Sequence, residues 1–220
     1  MRNIIFDLYG TLIDLWTNEG RNNFWQRLAI KTRKYHKYEY KELRRKYLDL
    51  CAKYSKEIEE IELLDVFDEL FGKDNSKEVA LIFRKLSTKY IRLYKGVDKL
   101  FKYLKENNYK IYLLSNAQSC FTNYELKKLG IYDKFDKIYL SSDYSIKKPN
   151  PNFIGTLIKN EKIEIKDSVM VGNDYICDII PAMSIGMKTI YLETNQSRVV
   201  DNVEKIKGFN LKEIIKKLEE

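Results

Sequence analysis

The sequence contains few of the residues that cross-link small folds or hold zinc. It has three cysteines, three prolines and one histidine in 220 residues. Cys51, Cys120 and Cys177 are far apart and odd in number, and none belongs to a Cys-x-x-Cys pair, so neither a disulfide framework nor a zinc site is indicated. A reducing cytoplasm is the compartment that fits this cysteine usage best.

Long apolar runs are also missing. The sequence has no stretch of roughly 18 consecutive apolar residues, and it runs from Met1 directly into a short apolar segment, Ile4 to Phe6. We therefore expect a soluble, cytoplasmic protein without a membrane partner. Hydrophobic residues make up 44% of the chain and aromatic residues 13%, which is enough apolar surface for a folded core.

Negative charge is in the minority, since 32 Asp and Glu stand against 40 Lys and Arg, for a formal charge of +8. A basic surface is typical of nucleic-acid-binding proteins. Here most lysines alternate with glutamates and apolar residues in helical patterns, as between Tyr38 and Arg45, which is typical of a solvated helix face. We therefore predict no nucleic-acid partner. His36 lies in the same Lys-rich stretch and is predicted to be solvated rather than catalytic.

The spacing of apolar residues divides the chain into two kinds of sequence. From Trp16 to Leu93 the spacing is helical, with no proline and no convincing strand, which predicts an inserted helical domain over residues 16–93. Over residues 1–15 and 94–220, short apolar runs alternate with helical segments. Repeated strand–helix units of this kind predict an α/β core domain with a doubly wound, Rossmann-like parallel sheet.

Polar residues follow the first two strands of the predicted core. Asp7 comes directly after the first strand, where a carboxylate is suited to act as a nucleophile. Gly10 permits a tight turn, and the Thr11 hydroxyl is placed to hold an oxyanion or the loop itself. Ser115 and Asn116 end the next strand, where they would hydrogen-bond a charged substrate group. Taken singly, each of these residues is equally consistent with a turn or a helix cap.

Charged residues occupy two later segments of the core. Lys148 lies in a crossover in which two prolines stiffen the approach to a helix. Asp174 and Asp178 follow an apolar strand, and carboxylates in such a loop suit a hard cation such as Mg²⁺. Alone, Lys148 would be interpreted as a surface residue and Asp178 as a helix cap. Because ligands bind beyond the carboxyl ends of parallel strands, we expect all these groups to converge in one crevice.

The order Asp-x-x-Gly-Thr, Ser-Asn, Lys-Pro and Gly-Asn-Asp-x-x-x-Asp resembles the four motifs of the haloacid dehalogenase superfamily of hydrolases, over nearly the whole chain. The helical insert resembles the small α-helical cap domain of that superfamily. The resemblance implies hydrolysis of a small-molecule substrate through an aspartyl-enzyme intermediate. It implies catalytic roles for Asp7, Tyr9, Thr11 and Lys148, substrate contacts for Ser115 and Asn116, and Mg²⁺ ligation by Asp7, the Tyr9 carbonyl, Asp174 and Asp178.

Two positions depart from the pattern of the superfamily's phosphatases. Those enzymes usually carry a second aspartate two residues after the nucleophile as general acid and base, and this chain has Tyr9 there. A phenol with a pKa of about 10 is a poor base at neutral pH, although it can donate a proton or a hydrogen bond. In the fourth motif the usual Gly-Asp becomes Gly172-Asn173, which shifts the predicted metal ligation to Asp174.

A second interpretation is a metal-independent 2-haloacid dehalogenase, because the segment Phe6–Leu12 also resembles that group. Against it, the tyrosine expected six residues after the lysine is Ile154, and the cap arginine has Arg27 and Arg44 as rival candidates. Asp174 and Asp178 lie in the loop of the fourth motif, which we call the fourth loop. Two carboxylates there would repel a carboxylate substrate unless a cation is present, and a cation favours phosphoryl transfer. We therefore rank a Mg²⁺-dependent phosphatase above a dehalogenase, and both above an inactive or nucleic-acid-binding relative.

Overall fold

The computed structural model describes residues 2–55 and 59–220, and over these ranges six strands form a parallel sheet and two more form an antiparallel ribbon. Met1 and residues 56–58 of the predicted cap domain lie outside the described residues. The strands are β1 (Asn3–Phe6), β2 (Ile13–Thr17), β3 (Thr88–Leu93), β4 (Lys110–Ser115), β5 (Lys137–Leu140), β6 (Ser168–Gly172), β7 (Lys188–Glu193) and β8 (Ile206–Lys207). The helices are α1 (Asn22–Lys31), α2 (Tyr40–Tyr54), α3 (Leu63–Phe71), α4 (Ser76–Ser87), α5 (Val97–Glu106), α6 (Ser119–Lys128), α7 (Ser141–Tyr144), α8 (Pro151–Glu161), α9 (Ile180–Ser184) and α10 (Leu211–Glu219).

The strand order in the parallel sheet is β5-β4-β1-β6-β7-β8. Strand β1 lies at the centre and pairs in parallel with β4 on one side and β6 on the other. The chain fills one side of β1 before it crosses to the other side, so the carboxyl ends of β1, β4 and β6 border one crevice. The predicted α/β class with a doubly wound parallel sheet is confirmed.

Both faces of the sheet are buried, which explains the continuous apolar runs in the strand sequences. Along β1, Ile4 and Phe6 belong to the hydrophobic cluster that includes Leu100 of α5, whereas Ile5 belongs to the cluster that includes Phe153 of α8. This alternation follows from the two-residue period of a strand. All three β1 side chains are fully buried, so the loop that begins at residue 7 starts from a rigid base.

Helices α1–α4 bury a separate cluster rich in aromatic residues. Phe24 and Phe83 pack edge to face with ring centroids 4.9 Å apart. Phe121 of α6, in the core, joins this cluster and lies parallel to Phe83 at 6.1 Å. Such aromatic contacts add to the area that they bury. The helical insert therefore packs on the core through α6 as well as being joined to it by the chain.

The prediction that residues 16–93 contain no strand is wrong. Strand β3 pairs antiparallel with β2, with Ile13 opposite Leu93, and this ribbon joins the helical bundle to the core. Its partner segments are distant in sequence, so local spacing gives little sign of the pairing. The buried carboxylate of Asp14 accepts two hydrogen bonds from Arg92 across the ribbon, at 2.7 and 3.0 Å. The predicted domain boundaries fall on or beside this ribbon, and the two-domain division stays a proposal.

The segment after β6 also differs from its predicted form. The alternation of strands and helices predicts an ordinary helix here, whereas the chain forms a π-helical turn at Tyr175–Ile179 that continues into α9. The side chain of Asp174 caps this turn. Because π-helical turns carry no distinct apolar spacing, the sequence pattern indicated only that a helix follows β6.

His36 is buried, so the prediction that it is solvated is wrong. Its Nδ1 accepts a hydrogen bond of 3.0 Å from the Tyr38 backbone N–H, and its Nε2 lies 2.8 Å from the Thr32 hydroxyl. Burial and the nearby Arg33 charge lower the pKa of His36.

Within residues 2–55 and 59–220, each helix is too short or too polar to cross a lipid bilayer.

Candidate active site

Asp7, Lys148 and Asp178 meet at the carboxyl edge of the sheet. The Lys148 ammonium donates to Asp7 Oδ1 at 2.8 Å, to Asp178 Oδ1 at 2.7 Å and to the Leu114 carbonyl at 2.8 Å. These three bonds use the whole donor capacity of the ammonium group. All three charged residues are less than a tenth exposed, so solvent screens their interaction little.

The charge of Lys148 is fixed by its two carboxylate partners. Burial alone would lower the pKa of Lys148, but Asp178 and Asp7 outweigh that effect and raise it above its ordinary value. Burial raises the pKa of Asp178, against the opposing effect of the Lys148 charge. At neutral pH the lysine is therefore a held cation beside Asp7, in surroundings where a positive charge acts strongly.

Asp7 is held from both of its oxygens. Oδ1 accepts from Lys148 and from the Ser115 hydroxyl at 3.3 Å, and Oδ2 accepts from the Thr11 hydroxyl at 3.0 Å. Asp7 follows β1, Ser115 ends β4, and Lys148 comes from the loop between α7 and α8. The structure thus brings together four residues that the sequence predicted to share one crevice.

Two glycines allow the loops of this site to approach closely. A Cβ atom at Gly172 would lie 2.3 Å from Asp178 Oδ2, and one at Gly10 would lie 2.3 Å from the Asn173 amide. Gly10 also has a φ of +84°, a conformation that glycine adopts without strain. A larger residue at Gly10 would push the Asp7 loop away from Asn173, and one at Gly172 would displace Asp178 within its own loop.

Asn173 is the fourth-loop residue that contacts the Asp7 loop. The inward atom of its side-chain amide lies 2.9 Å from the Tyr9 carbonyl oxygen, 3.0 Å from Thr11 Oγ1 and 3.3 Å from Asp7 Oδ2. With the nitrogen inward, the two N–H donors of the amide face three oxygens that can accept them, whereas an inward amide oxygen would face mainly acceptors. The sequence left open whether Asn173 or Asp174 serves the metal site and favoured Asp174.

Asp174, to which the metal ligation was assigned, uses its side chain differently. Its Oδ1 accepts hydrogen bonds of 3.0 Å from the backbone N–H groups of Ile176 and Cys177. Its own N–H donates to Asp178 Oδ2 at 2.9 Å. Asp174 therefore builds the turn that carries Asp178, and although it lines the cavity beside Asp7, its hydrogen bonds are to backbone groups.

Asn116 holds the loop of Lys148. Its Nδ2 donates to the Lys148 carbonyl at 2.7 Å, and its Oδ1 accepts from the Lys148 N–H at 2.8 Å. This pair of bonds fixes the backbone from which the lysine reaches Asp7. The predicted substrate ligand thus lines the cavity, but its amide is engaged with protein in this structure.

The Tyr9 hydroxyl is engaged by α6 and not by the Asp7 cluster. It donates to the buried Glu125 carboxylate at 2.5 Å and lies 3.0 Å from the Thr122 hydroxyl. Glu125 also binds Arg84 of α4 at 2.6 Å. Burial and the Glu125 charge raise the pKa of Tyr9 far above its usual value. The phenol is therefore poorly suited to serve as the missing general acid or base.

Sequence reasoning missed Glu125 and Arg84 altogether. A signal for Glu125 is present, because it lies on the same face of α6 as the buried Phe121 and Thr122, four and three residues before it. A carboxylate on a buried helix face requires a partner. Nothing in the sequence indicates that this partner is Arg84, which belongs to the helical insert.

A cavity of about 230 Å³ opens beside Asp7. Its lining residues are Asp7, Tyr9, Ser115, Asn116, Lys148, Asn173, Asp174, Cys177, Asp178 and Gln196. A larger cavity of about 610 Å³ lies between β7, β8 and α10 and contains none of the Asp7, Lys148 or Asp178 side chains. The charged cluster, not the size of the cavity, marks the candidate active site.

Comparison with known families decides the affiliation of this chain. Residues 4–192 match the family model described as haloacid dehalogenase-like hydrolase. The chain belongs to the haloacid dehalogenase-like hydrolase family. A glyceraldehyde 3-phosphate phosphatase from Pyrococcus abyssi is 26% identical over 104 residues, which are 47% of this chain and 44% of that protein. The match thus spans less than half the length of that relative.

Solved structures of haloacid dehalogenase-like proteins share this fold over nearly its full length. A phosphatase from Thermococcus onnurineus superposes with a TM-score of 0.65 at 20% identity and covers 99% of this chain and 98% of that one. A 2-haloacid dehalogenase from Pseudomonas syringae gives 0.70 at 16% identity, with 100% and 98% covered. At these identities the similarity shows the fold and does not distinguish the two activities.

The positions at which a 2-haloacid dehalogenase would carry its tyrosine and its cap arginine do not contribute to the cavity beside Asp7 in the described chain. Ile154 is buried in α8 and belongs to the core below the sheet. Arg27 is exposed on α1, and Arg44 donates to Asn22 at 3.1 Å on the surface. Among the residues that line the cavity beside Asp7 in the described chain, there is no arginine to bind a substrate carboxylate.

Proposed function

We propose that this chain is a phosphatase that transfers a phosphoryl group from a small phosphorylated metabolite to Asp7 and then to water. The observation that carries the proposal is the buried contact between Asp7 and the Lys148 ammonium at 2.8 Å, beside the Thr11 and Ser115 hydroxyls. The phosphatase names of the sequence relatives support the proposal. Tyr9 would contribute its backbone carbonyl and its loop, not its hydroxyl.

In the first step an Asp7 oxygen attacks phosphorus, the ester P–O bond breaks, and the electron pair leaves with the alcohol oxygen, which takes a proton from solvent. Lys148 offsets the negative charge that gathers where Asp7 meets the phosphoryl oxygens. The Thr11 and Ser115 hydroxyls, which bond Asp7 in this structure, would turn to the transferring oxygens. In the second step water attacks phosphorus and the bond between phosphorus and the Asp7 oxygen breaks. The electron pair stays on the Asp7 carboxylate, phosphate leaves, and the proton of the attacking water passes to solvent.

The donors around Asn173 fit a Mg²⁺ ion. Over the described residues, no three His, Cys, Asp or Glu side chains gather into a metal site, so the set must include neutral oxygens. The Asp7 carboxylate, the Tyr9 carbonyl and the Asn173 amide oxygen would supply them, with Asp178 behind Lys148. Hard oxygen donors of this kind suit Mg²⁺, which keeps several of its waters. When bound, the ion would stabilise negative charge on the phosphoryl oxygens.

The cavity and its charge indicate a small substrate. A volume of about 230 Å³ holds a phosphoryl group and a short carbon chain, and the lining includes polar groups such as Gln196. The sequence relatives are called glyceraldehyde 3-phosphate phosphatases, so glyceraldehyde 3-phosphate is the first substrate to test. Halide displacement from a 2-haloacid is the second candidate, favoured by the Tyr9-Gly10-Thr11 sequence and opposed by the missing cavity arginine.

The test is to measure phosphate release from glyceraldehyde 3-phosphate and an aryl phosphate, and halide release from 2-chloropropionate, with Mg²⁺ and with EDTA. We expect phosphate release that requires Mg²⁺ and is lost in Asp7→Asn, because an amide forms no acyl phosphate. Halide release that EDTA leaves intact, without phosphate release from any ester, would reverse the ranking. Failure of both reactions would favour a protein that is catalytically inactive.

A further inference from the structure

We propose that the Asn173 amide is a two-position ligand, with its nitrogen inward when the site holds no cation and its oxygen inward when Mg²⁺ is bound. This inference rests on the proposed function and deepens it. Its consequence is that the site binds Mg²⁺ weakly and reversibly, because a neutral amide stands where a carboxylate would bring charge. Asn173, and not Asp174, is the fourth-loop residue that decides metal affinity.

The surroundings of the inward amide atom are all oxygen. They are the Tyr9 carbonyl at 2.9 Å, Thr11 Oγ1 at 3.0 Å and Asp7 Oδ2 at 3.3 Å. A carbonyl and a carboxylate only accept hydrogen bonds, so an inward amide oxygen would face two acceptors. The Thr11 hydroxyl could donate to that oxygen at 3.0 Å only by giving up its hydrogen bond to Asp7 Oδ2. With no cation, the nitrogen is therefore the stable inward atom.

The same spacing suits three oxygens that share one ion. Mg²⁺ binds oxygen at about 2.0–2.1 Å in octahedral geometry, which places neighbouring ligand oxygens about 2.9 Å apart. The separations from the inward amide atom to Tyr9 O and Asp7 Oδ2 are 2.9 and 3.3 Å. An amide oxygen at this position could therefore bind the same cation as the Tyr9 carbonyl and Asp7 Oδ2 without any movement of the backbone.

The close fit of Asn173 restricts its side chain to these two orientations. The residue is 6% exposed, and its amide lies against Gly10, where an added Cβ would come within 2.3 Å of it. A half-turn about the last side-chain bond exchanges nitrogen and oxygen while it leaves the occupied volume nearly unchanged. Packing therefore permits the exchange and disfavours withdrawal of the side chain.

The charge around the site is low for a Mg²⁺ site. Asp7 and Asp178 share the Lys148 ammonium, so this trio carries at most one net negative charge. Asp174 is engaged by two backbone N–H groups of its own turn. Affinity for hard cations rises with the number of charged ligands. Replacing Asn173 with aspartate should therefore strengthen Mg²⁺ binding, by about tenfold or more.

The experiment combines calorimetric Mg²⁺ titration with side-chain amide NMR on the full chain. In ¹⁵N-labelled wild-type protein, the Asn173 side-chain signals are assigned by their absence in Asn173→Asp. We expect these signals to shift as Mg²⁺ saturates the site, because the N–H groups leave the Tyr9 and Asp7 oxygens. Asn173→Asp should bind Mg²⁺ about tenfold more tightly and gain more thermal stability from it, whereas the matched control Asp174→Asn should bind with wild-type affinity.

Unshifted Asn173 signals at saturating Mg²⁺ would overturn the proposal, as would an Asp174→Asn protein that loses Mg²⁺ affinity while Asn173→Asp is unchanged. If Asn173→Asp folds poorly, the Asn173 side-chain signals are assigned by through-bond experiments on the wild-type protein, so the NMR readout does not depend on the variant. Catalysis is measured separately, so failure of the proposed phosphatase function can be distinguished from failure of the Asn173 proposal. If no ester is hydrolysed but the amide responds to Mg²⁺, the proposed function fails and this inference stands.

Discussion

The hydroxyl of Tyr9 donates to the carboxylate of Glu125, which is buried and paired with Arg84. Tyr9 belongs to the loop that begins at Asp7, Glu125 to core helix α6, and Arg84 to helix α4 of the insert. One buried carboxylate thus links the loop of the proposed nucleophile to core helix α6 and to helix α4 of the insert. This contact also occupies the only ionisable side-chain group of Tyr9.

Tyr9→Phe should lower stability and leave catalysis nearly intact. Loss of the hydroxyl leaves part of the Glu125 hydrogen-bonding capacity unused, which should cost about 2 kcal/mol in the free energy of unfolding. Since no proton is expected to pass through this hydroxyl, kcat should stay within a factor of about three. Urea denaturation and phosphate release across a pH range measure the two effects. A loss of about a hundredfold in kcat together with an altered pH profile would mean that Tyr9 acts as an acid.

Arg84→Met should destabilise the protein strongly. The change leaves Glu125 charged and 4% exposed at its side chain without its cation, which should cost about 3–5 kcal/mol. Arg45→Met is the matched control, because Arg45 pairs with Asp49 at the surface with both side chains about two-thirds exposed. That pair should contribute about 0.5 kcal/mol. Equal losses in the two variants, measured by chemical denaturation, would show that the buried pair has no special weight.

Lys148→Ala should reduce turnover by about 10²–10³-fold, because it removes the cation that offsets charge at Asp7. It should also lower the free energy of unfolding by about 3 kcal/mol, since Asp7 and Asp178 are left buried side by side. Lys147→Ala is the control, because Lys147 is less buried and lies outside the cavity lining. Wild-type turnover in Lys148→Ala, measured well below its melting temperature, would remove Lys148 from the proposed mechanism.

His36 should make stability depend on mildly acidic pH. Its pKa is lowered in the folded protein, so the unfolded chain takes up a proton first, near pH 6.5. The stability contributed by neutral His36 is complete above that pH and is lost as the pH falls toward the lower folded pKa. The stability advantage of wild type over His36→Gln should therefore shrink between pH 7.5 and pH 5, as followed by urea denaturation. An advantage that is constant with pH would contradict the buried neutral state.

Much of the fold and part of the site followed from the sequence alone. The doubly wound parallel sheet and the convergence of Asp7, Thr11, Ser115 and Lys148 were predictable, because parallel strands deliver their carboxyl ends to one edge. The pairing of β2 with β3 was not, since a non-local ribbon has no local spacing signal. The sequence was equally silent on how the insert packs against α6.

In the fourth loop, motif spacing predicts which residues are present but not where their side chains point. Spacing placed two carboxylates after β6, but the direction of each side chain depends on the π-helical turn at Tyr175–Ile179. That turn commits Asp174 to backbone N–H groups and directs Asp178 to Lys148. Asn173, which was ranked below Asp174 as a metal ligand because it lacks charge, is the fourth-loop residue whose side-chain amide faces Asp7.

The most direct test of the central claim is to identify the phosphorylated residue during turnover. The enzyme would be mixed with substrate and Mg²⁺, quenched in acid, digested and examined by mass spectrometry. We expect one added phosphoryl group on Asp7, with no such group in Asp7→Asn. Phosphate release that proceeds with Asp7 unmodified at every quench time, and that Asp7→Asn retains, would contradict the assignment of Asp7 as the nucleophile.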